Sequence, residues 1–530
     1  MVRNWDVKIS TLMLALAFFL VILTLYIIPQ QGGTISSTQE KAGEINRANV
    51  IYEEKLPIQE VNLGRQGRSI FIAFVMLTHI LFANLHLGGS WVAVFTESLY
   101  LKTRRPRLNR LARSVTLFNV ILFSAGATFA IAGVLFFISL FPVFAQNLFH
   151  VYWWPLFIEA ITFAMEIFFL YTYWFTWDRI SNFWHQVLGF GYAISVFFQT
   201  LMINTLAAGM LTPGGKTIDW SNTGTLTMPL GELMSWWNNS TLWVLQFHRL
   251  AAAISFFGFI LASLAMFHFM DRKDIVSKRY WDWVGSYGIS WGLLGLVIQP
   301  GLGLMYMLRI QQSQPGAFIM IMHGPRAWEM LLMVGLLSAL ILSVLIYFID
   351  RREQILTKYE SRIVYTLFRV LLVVAGLAAF VLANPAWLGA TYRSDPHAWI
   401  NPIGLMIYKY LALIVLIVIA SMVLMIDIFM LGDVREEDWG NIPATARAAG
   451  VMTGILGMWI VVVMGFVRES ARSPWLVSNV IPVPGGQNYP TPLSVWTIFG
   501  VWAIVLALTI TVFWFTSKVT AEHPETAEEV

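Results

Sequence analysis

Twelve apolar runs of about 20 residues recur along this chain, near 9–28, 69–98, 115–141, 153–177, 184–209, 241–269, 283–308, 327–349, 363–383, 404–431, 449–467 and 491–516. A run of that length crosses the hydrocarbon core of a bilayer as one α-helix. Within lipid only helices and closed barrels satisfy their own backbone hydrogen bonds. The predicted fold is therefore all-α, a polytopic transmembrane helical bundle of about 12 spans. Composition agrees, because a soluble chain of 530 residues is not 57% hydrophobic and 12% charged. The chain has no cysteine. That excludes disulfides, thiolate-held zinc, iron–sulfur clusters and covalently attached c-type haem, and leaves His, Met or carboxylate to hold any metal. A net charge of +4 gives no reason to invoke nucleic acid.

An even number of spans puts both termini on one side. With that side cytoplasmic, the cytoplasmic segments carry about twice the Lys and Arg of the external ones, the richest being LKTRRPRLNRLAR at 101–113. The expected organisation is an N-terminal anchor helix plus polar external segment (1–67), core helices (68–310), a helical hairpin (311–400), further core helices (401–516) and a disordered acidic tail (517–530). The first span can be read as a signal peptide, but its length and its Ile-Pro-Gln-Gln ending favour a retained anchor. The connection 210–240 is predicted to be external.

Ionisable residues inside spans are costly and default to function. The stretch GFVRESARSPW, 465–475, closes an apolar run with Arg468, Glu469, Ser470 and Arg472 together. Glu469 and Arg472 are three apart and can share a helix face. Such a carboxylate can bind a metal, relay protons or form a stable ion pair. His79 and His86 share a face of the second span, followed by Gly88 and Gly89, where a bulky group or another helix can approach. Each histidine can equally hydrogen-bond a neighbouring helix. Glu159 and Glu166 share a face of the fourth span, which suits a proton relay, a cation site or the neighbourhood of a haem. In the sixth span His248 stands beside Arg249, a pairing that fits a haem ligand with a propionate partner. Ala251, Ala252, Ala253, Ser255 and Gly258 allow packing against a flat ring. His268 reads as interfacial. Lys409 can snorkel outward, and Met406 reads first as core filler.

Taken together, these stretches resemble subunit I of cytochrome bd-type oxidases, over roughly 64–310 and 400–515. The resemblance is carried by GRSIFIAFVMLTHILFANLHLGG, VFTESLYL, PLFIEAITFAMEIFFLYTYWFTWDRIS, FHRLAAAISFFG and GFVRESARSPW, in the family's order. It implies respiratory reduction of dioxygen to water in a prokaryotic cytoplasmic membrane, with haem b, haem d and up to three haems in all. It implies His79 as axial ligand of a high-spin haem, His248 as ligand of the low-spin haem, and Glu469 as ligand of the second high-spin haem. Arg472 and Trp475 then belong to the family's Gly-Arg-Gln-Pro-Trp box. Arg249, Met406 and Lys409 become cofactor-binding candidates, and Glu159, Glu166 and Arg472 catalytic candidates. Expected partners are a second multispan subunit and a donor, either quinol or a periplasmic cytochrome c.

The sequence departs from the family in three places. If Lys409 takes the family's basic position, the methionine ligand falls at Leu411. The external quinol loop is replaced by two spans joined by DRREQILTKYESR. The N-terminal anchor and polar segment are additions. Two other functions stay open: a haem b subunit that only moves electrons between quinone and cytochrome c, and a cofactor-free cation-coupled carrier.

Overall fold

The computed structural model describes residues 64–213, 237–322, 327–358, 362–383, 407–431 and 438–482. The predicted spans at 9–28 and 491–516, most of the polar segment and of the 210–240 connection, and the acidic tail lie outside the described residues. Each of the other ten predicted spans falls on a helix. In chain order these and the shorter helices are α1 (Gly64–Thr103), α2 (Pro106–Leu140), α3 (Pro142–Val151), α4 (Trp153–Phe175), α5 (Asn182–Leu211), α6 (Leu242–Asp271), α7 (Ile275–Ser313), α8 (Pro315–Met322), α9 (Ala327–Lys358), α10 (Arg362–Ala383), α11 (Ile407–Leu431) and α12 (Ala444–Ala471). A two-stranded hairpin, β1 (Trp475–Val477) and β2 (Ile481–Pro482), follows. Eight of these helices are long and apolar enough to cross a membrane. The protein is a multi-pass membrane helical bundle.

Local chemistry sets the helix ends. The basic run 101–113 falls between the predicted spans 69–98 and 115–141. It is helical except at Arg104 and Arg105, where Arg104 turns the chain with φ 57° and Pro106 opens α2, a first-turn position that costs proline no hydrogen bond. Asp274 caps α7 by accepting from the Ser277 amide at 2.7 Å. That hydrogen bond holds the Asp274 carboxyl below its ordinary range. The hairpin link DRREQILTKYESR is also shorter than expected, since α9 runs on to Lys358.

Helix α6 is central, packed on α7, α1 and α12. Its small residues make this possible. A Cβ on Gly258 would collide with the backbone of Gly288 and Gly292, and one on Gly295 with that of Ala251 and Ser255. Ser255 Oγ donates to the Gly292 carbonyl at 2.8 Å. Ala251, Ala253, Ser255 and Gly258 therefore serve helix–helix contact rather than a flat ring, correcting the expectation from sequence. Gly88 and Gly89 are likewise filled by a helix, since a Cβ on Gly88 would collide with the Ala253 carbonyl of α6. Gly88→Val should lower stability by about 3 kcal/mol, the upper end for overpacked cores. The check is the thermal midpoint in detergent, with Gly316→Val, a position open to space, expected to be near neutral.

At the arginine-rich end, one buried ion pair ties three elements. Arg351 of α9 donates Nε and an Nη to the two oxygens of Asp282 of α7, at 2.9 and 2.8 Å. The Gly440 amide donates to Asp282 Oδ2 at 2.8 Å. Gly440 has φ 99°, a conformation glycine adopts without strain. The Arg351 guanidinium also lies 5.0 Å from the centre of the Trp439 ring.

Candidate functional site

Most of the predicted ligand residues gather towards the end of the bundle opposite that ion pair. On α1, His79 directs Nδ1 to the Gly126 carbonyl of α2 at 3.1 Å. A carbonyl only accepts, so Nδ1 carries the hydrogen and Nε2 is left as a lone pair. Fixing the tautomer through the remote nitrogen is how proteins present imidazole to a metal. On α6, His248 makes no hydrogen bond among the described residues. Its Nε2 packs against Gly303 of α7, where a Cβ would come within 3.2 Å of it, and its ring lies 6.4 Å from that of Tyr306.

Arg249 is held firmly. It donates Nε to Asn84 at 3.2 Å and an Nη to Asn204 at 2.8 Å. Asn204 in turn donates to Gln246 at 2.7 Å. Arg249 lies within electrostatic range of His79 and of Arg468. Arg468 and Arg472 both act on Tyr306. Glu469 pairs with Arg472 as the three-residue spacing predicts, and Arg472 also donates to the Leu476 carbonyl beyond Trp475. Of these guanidinium groups Arg472 holds the Glu469 carboxylate, which is 42% exposed. Arg468 Nε and Arg472 Nε are buried with no partner among the described residues. Buried donors of this kind call for an acceptor, and an anionic group such as a haem propionate supplies one. No group of three or more His, Asp or Glu suited to a metal ion occurs among the described residues; a porphyrin iron, which takes one or two protein ligands, needs none.

The two acids of α4 have contacts of their own. Glu166, 1% exposed, has Oε1 2.6 Å from His86 Nε2, and Tyr192 places its hydroxyl 3.1 Å from the same nitrogen. Glu166 Oε2 has no partner among the described residues. Glu159 accepts from Gln199 at 3.4 Å. His79 and His86 therefore serve different partners despite their shared face. His268 stacks on Trp281, ring centres 4.2 Å apart, towards the other end. Met406 and the side chain of Lys409 lie outside the described residues. Leu411 is 53% exposed and so points away from the interior.

A second buried acid–base group has no counterpart in the sequence reading. Glu97 of α1 meets His185 Nδ1 of α5 at 2.5 Å and accepts from the Tyr173 hydroxyl of α4 at 2.6 Å. The only signal for it is the spacing: Glu97 lies eleven residues after His86, and Tyr173 seven after Glu166, each on the face already singled out.

Membrane-spanning helices that enclose imidazole, carboxylate and guanidinium groups define a class, the polytopic membrane proteins with a polar, ionisable interior. Residues 68–524 match the family described as cytochrome bd terminal oxidase subunit I, and the chain belongs to that family. Membership makes it an oxidoreductase of respiratory membranes. A solved bd oxidase from Geobacillus thermodenitrificans covers 86% of this chain and 99% of its own, with TM-score 0.51 and 16% identity. At that identity the likeness shows the fold alone.

Proposed function

We propose that the chain is the haem-bearing subunit of a bd-type terminal oxidase, passing electrons from quinol or a periplasmic cytochrome c to dioxygen, with a second multispan subunit as partner. The observation that carries this reading is the gathering of His79 and His248 with Arg249, Arg468 and Arg472, the last two of which keep a buried Nε without a partner among the described residues. His79 and His248 would hold haem iron through Nε2. Arg249, Arg468 and Arg472 would receive propionates. A haem supplies electron storage and an open iron position for dioxygen. The protein's own work is to fix ring tautomers, neutralise buried anions and move protons through Glu166 and Glu159. Both termini lie in the cytoplasm on this reading, which puts the ligand cluster near the outer face.

One observation favours a narrower role. Glu469 is partly exposed and tied to Arg472, which weakens it as an iron ligand and suits a subunit that only transfers electrons. Oxygen uptake by the purified complex, first with a quinol and then with reduced cytochrome c, separates the two. The proposal expects sustained uptake with one donor. Haem reduction by both donors without uptake would establish the narrower role instead.

A further inference from the structure

Helices α1, α4 and α5 share a seam whose polar residues fall into tiers. Nearest the arginine-rich end, Glu97 of α1, Tyr173 of α4 and His185 of α5 meet. Next come His86 of α1, Glu166 of α4 and Tyr192 of α5. Above them Glu159 of α4 meets Gln199 of α5. The steps on α4 and α5 are seven residues each, two helical turns or about 10 Å. The tiers therefore stack in register although α5 runs opposite to α4.

The geometry of the lowest tier fixes its protons. His185 Nε2 lies 3.0 Å from the Tyr173 carbonyl, which can only accept, so Nε2 carries a hydrogen. The other nitrogen is 2.5 Å from Glu97 Oε1, and a polar contact that short holds one proton between the atoms. Tyr173 occupies the second carboxylate oxygen as donor. Glu97 and His185 thus share a single proton that either can carry. His185 sits in the first turn of α5, 4% exposed, just beneath the exposed stretch 178–184. In the next tier Glu166 has one oxygen bound and the other bare. The buried Ser90 hydroxyl lies on the same face of α1, between His86 and Glu97.

We propose that Glu97, His185 and Tyr173 form a proton-loading site that supplies Glu166, while His86 and Tyr192 position Glu166 so that its second oxygen stays open. Each transfer moves one proton and no electron. A proton arriving from the aqueous phase beside α5 displaces the shared proton, which crosses to Glu166 over bridging water, and Glu166 passes its own to Glu159. The inference rests on the oxidase reading only for the final use of the protons.

The test uses the purified complex with Glu97→Gln, His185→Gln and the conservative Glu97→Asp. The first readout is isotope-edited infrared absorption with labelled carboxylate and imidazole, which needs no turnover. The wild type should show the broad band of a shared proton, and both glutamine variants should lose it. The second readout is oxygen uptake in H₂O and D₂O. Glu97→Gln should slow uptake at least tenfold and enlarge the isotope effect with an unchanged haem spectrum, and Glu97→Asp should restore most of the rate. Absence of the band in wild type overturns the proposal even where haem and oxygen uptake are found. So does uptake by Glu97→Gln within twofold of wild type, or a loss with no change in isotope effect and no rescue by aspartate. The band without haem leaves the proton site standing and overturns the oxidase reading alone.

Discussion

Arg351→Ala is expected to destabilise the protein by about 3–5 kcal/mol, because it leaves a carboxylate buried without its counter-charge. Asp282 is fully buried and Arg351 is 2% exposed, so solvent cannot take over the lost partner. The pair joins α7 to α9, and through Gly440 to the segment leading into α12; its loss should loosen all three. Replacing both residues with leucine should recover much of the loss, since an apolar pair of similar volume is often as stable as a buried ion pair. Thermal unfolding in detergent, read by near-ultraviolet circular dichroism, gives the comparison. A double variant no better than Arg351→Ala would mean that the pair's geometry, rather than its charge balance, holds the junction.

The second large effect concerns function. His79→Ala should remove one high-spin haem signal and lower oxygen uptake by more than about 100-fold, beyond what loss of a merely supporting partner does to a metal site. His248→Ala should remove the low-spin signal instead. His268→Ala, which removes the stacking on Trp281 towards the other end of the bundle, should keep both. Optical and paramagnetic resonance spectra of the three variants decide the matter. An unchanged low-spin signal in His248→Ala would break that ligand assignment.

The spans were legible because each is a long apolar run, and lipid admits few alternatives to a helix. Their ends were less so. The basic run 101–113 falls between the predicted spans 69–98 and 115–141, yet helices project Lys and Arg beyond the apolar layer without breaking, and α1 and α2 together absorb all but Arg104 and Arg105. Pairing within one helix was readable from spacing, as Glu469 with Arg472. Pairing between helices was not. Glu97 and His185 are 88 residues apart, and nothing local marks them as neighbours. The small-residue stripe of α6 showed close approach but not its occupant, because a flat ring and the glycine face of α7 require the same absence of side chains. The extra polar tier extends a seven-residue recurrence already visible at Glu159 and Glu166, and so could have been sought.

The account stands on iron porphyrin held among α1, α6 and α12. A pyridine haemochrome assay on the intact protein from its own membranes tests this most directly. The account predicts protohaem bands, alone or with haem d, and no more than three haems per chain. A colourless protein with no Soret absorption and no haemochrome bands would contradict it.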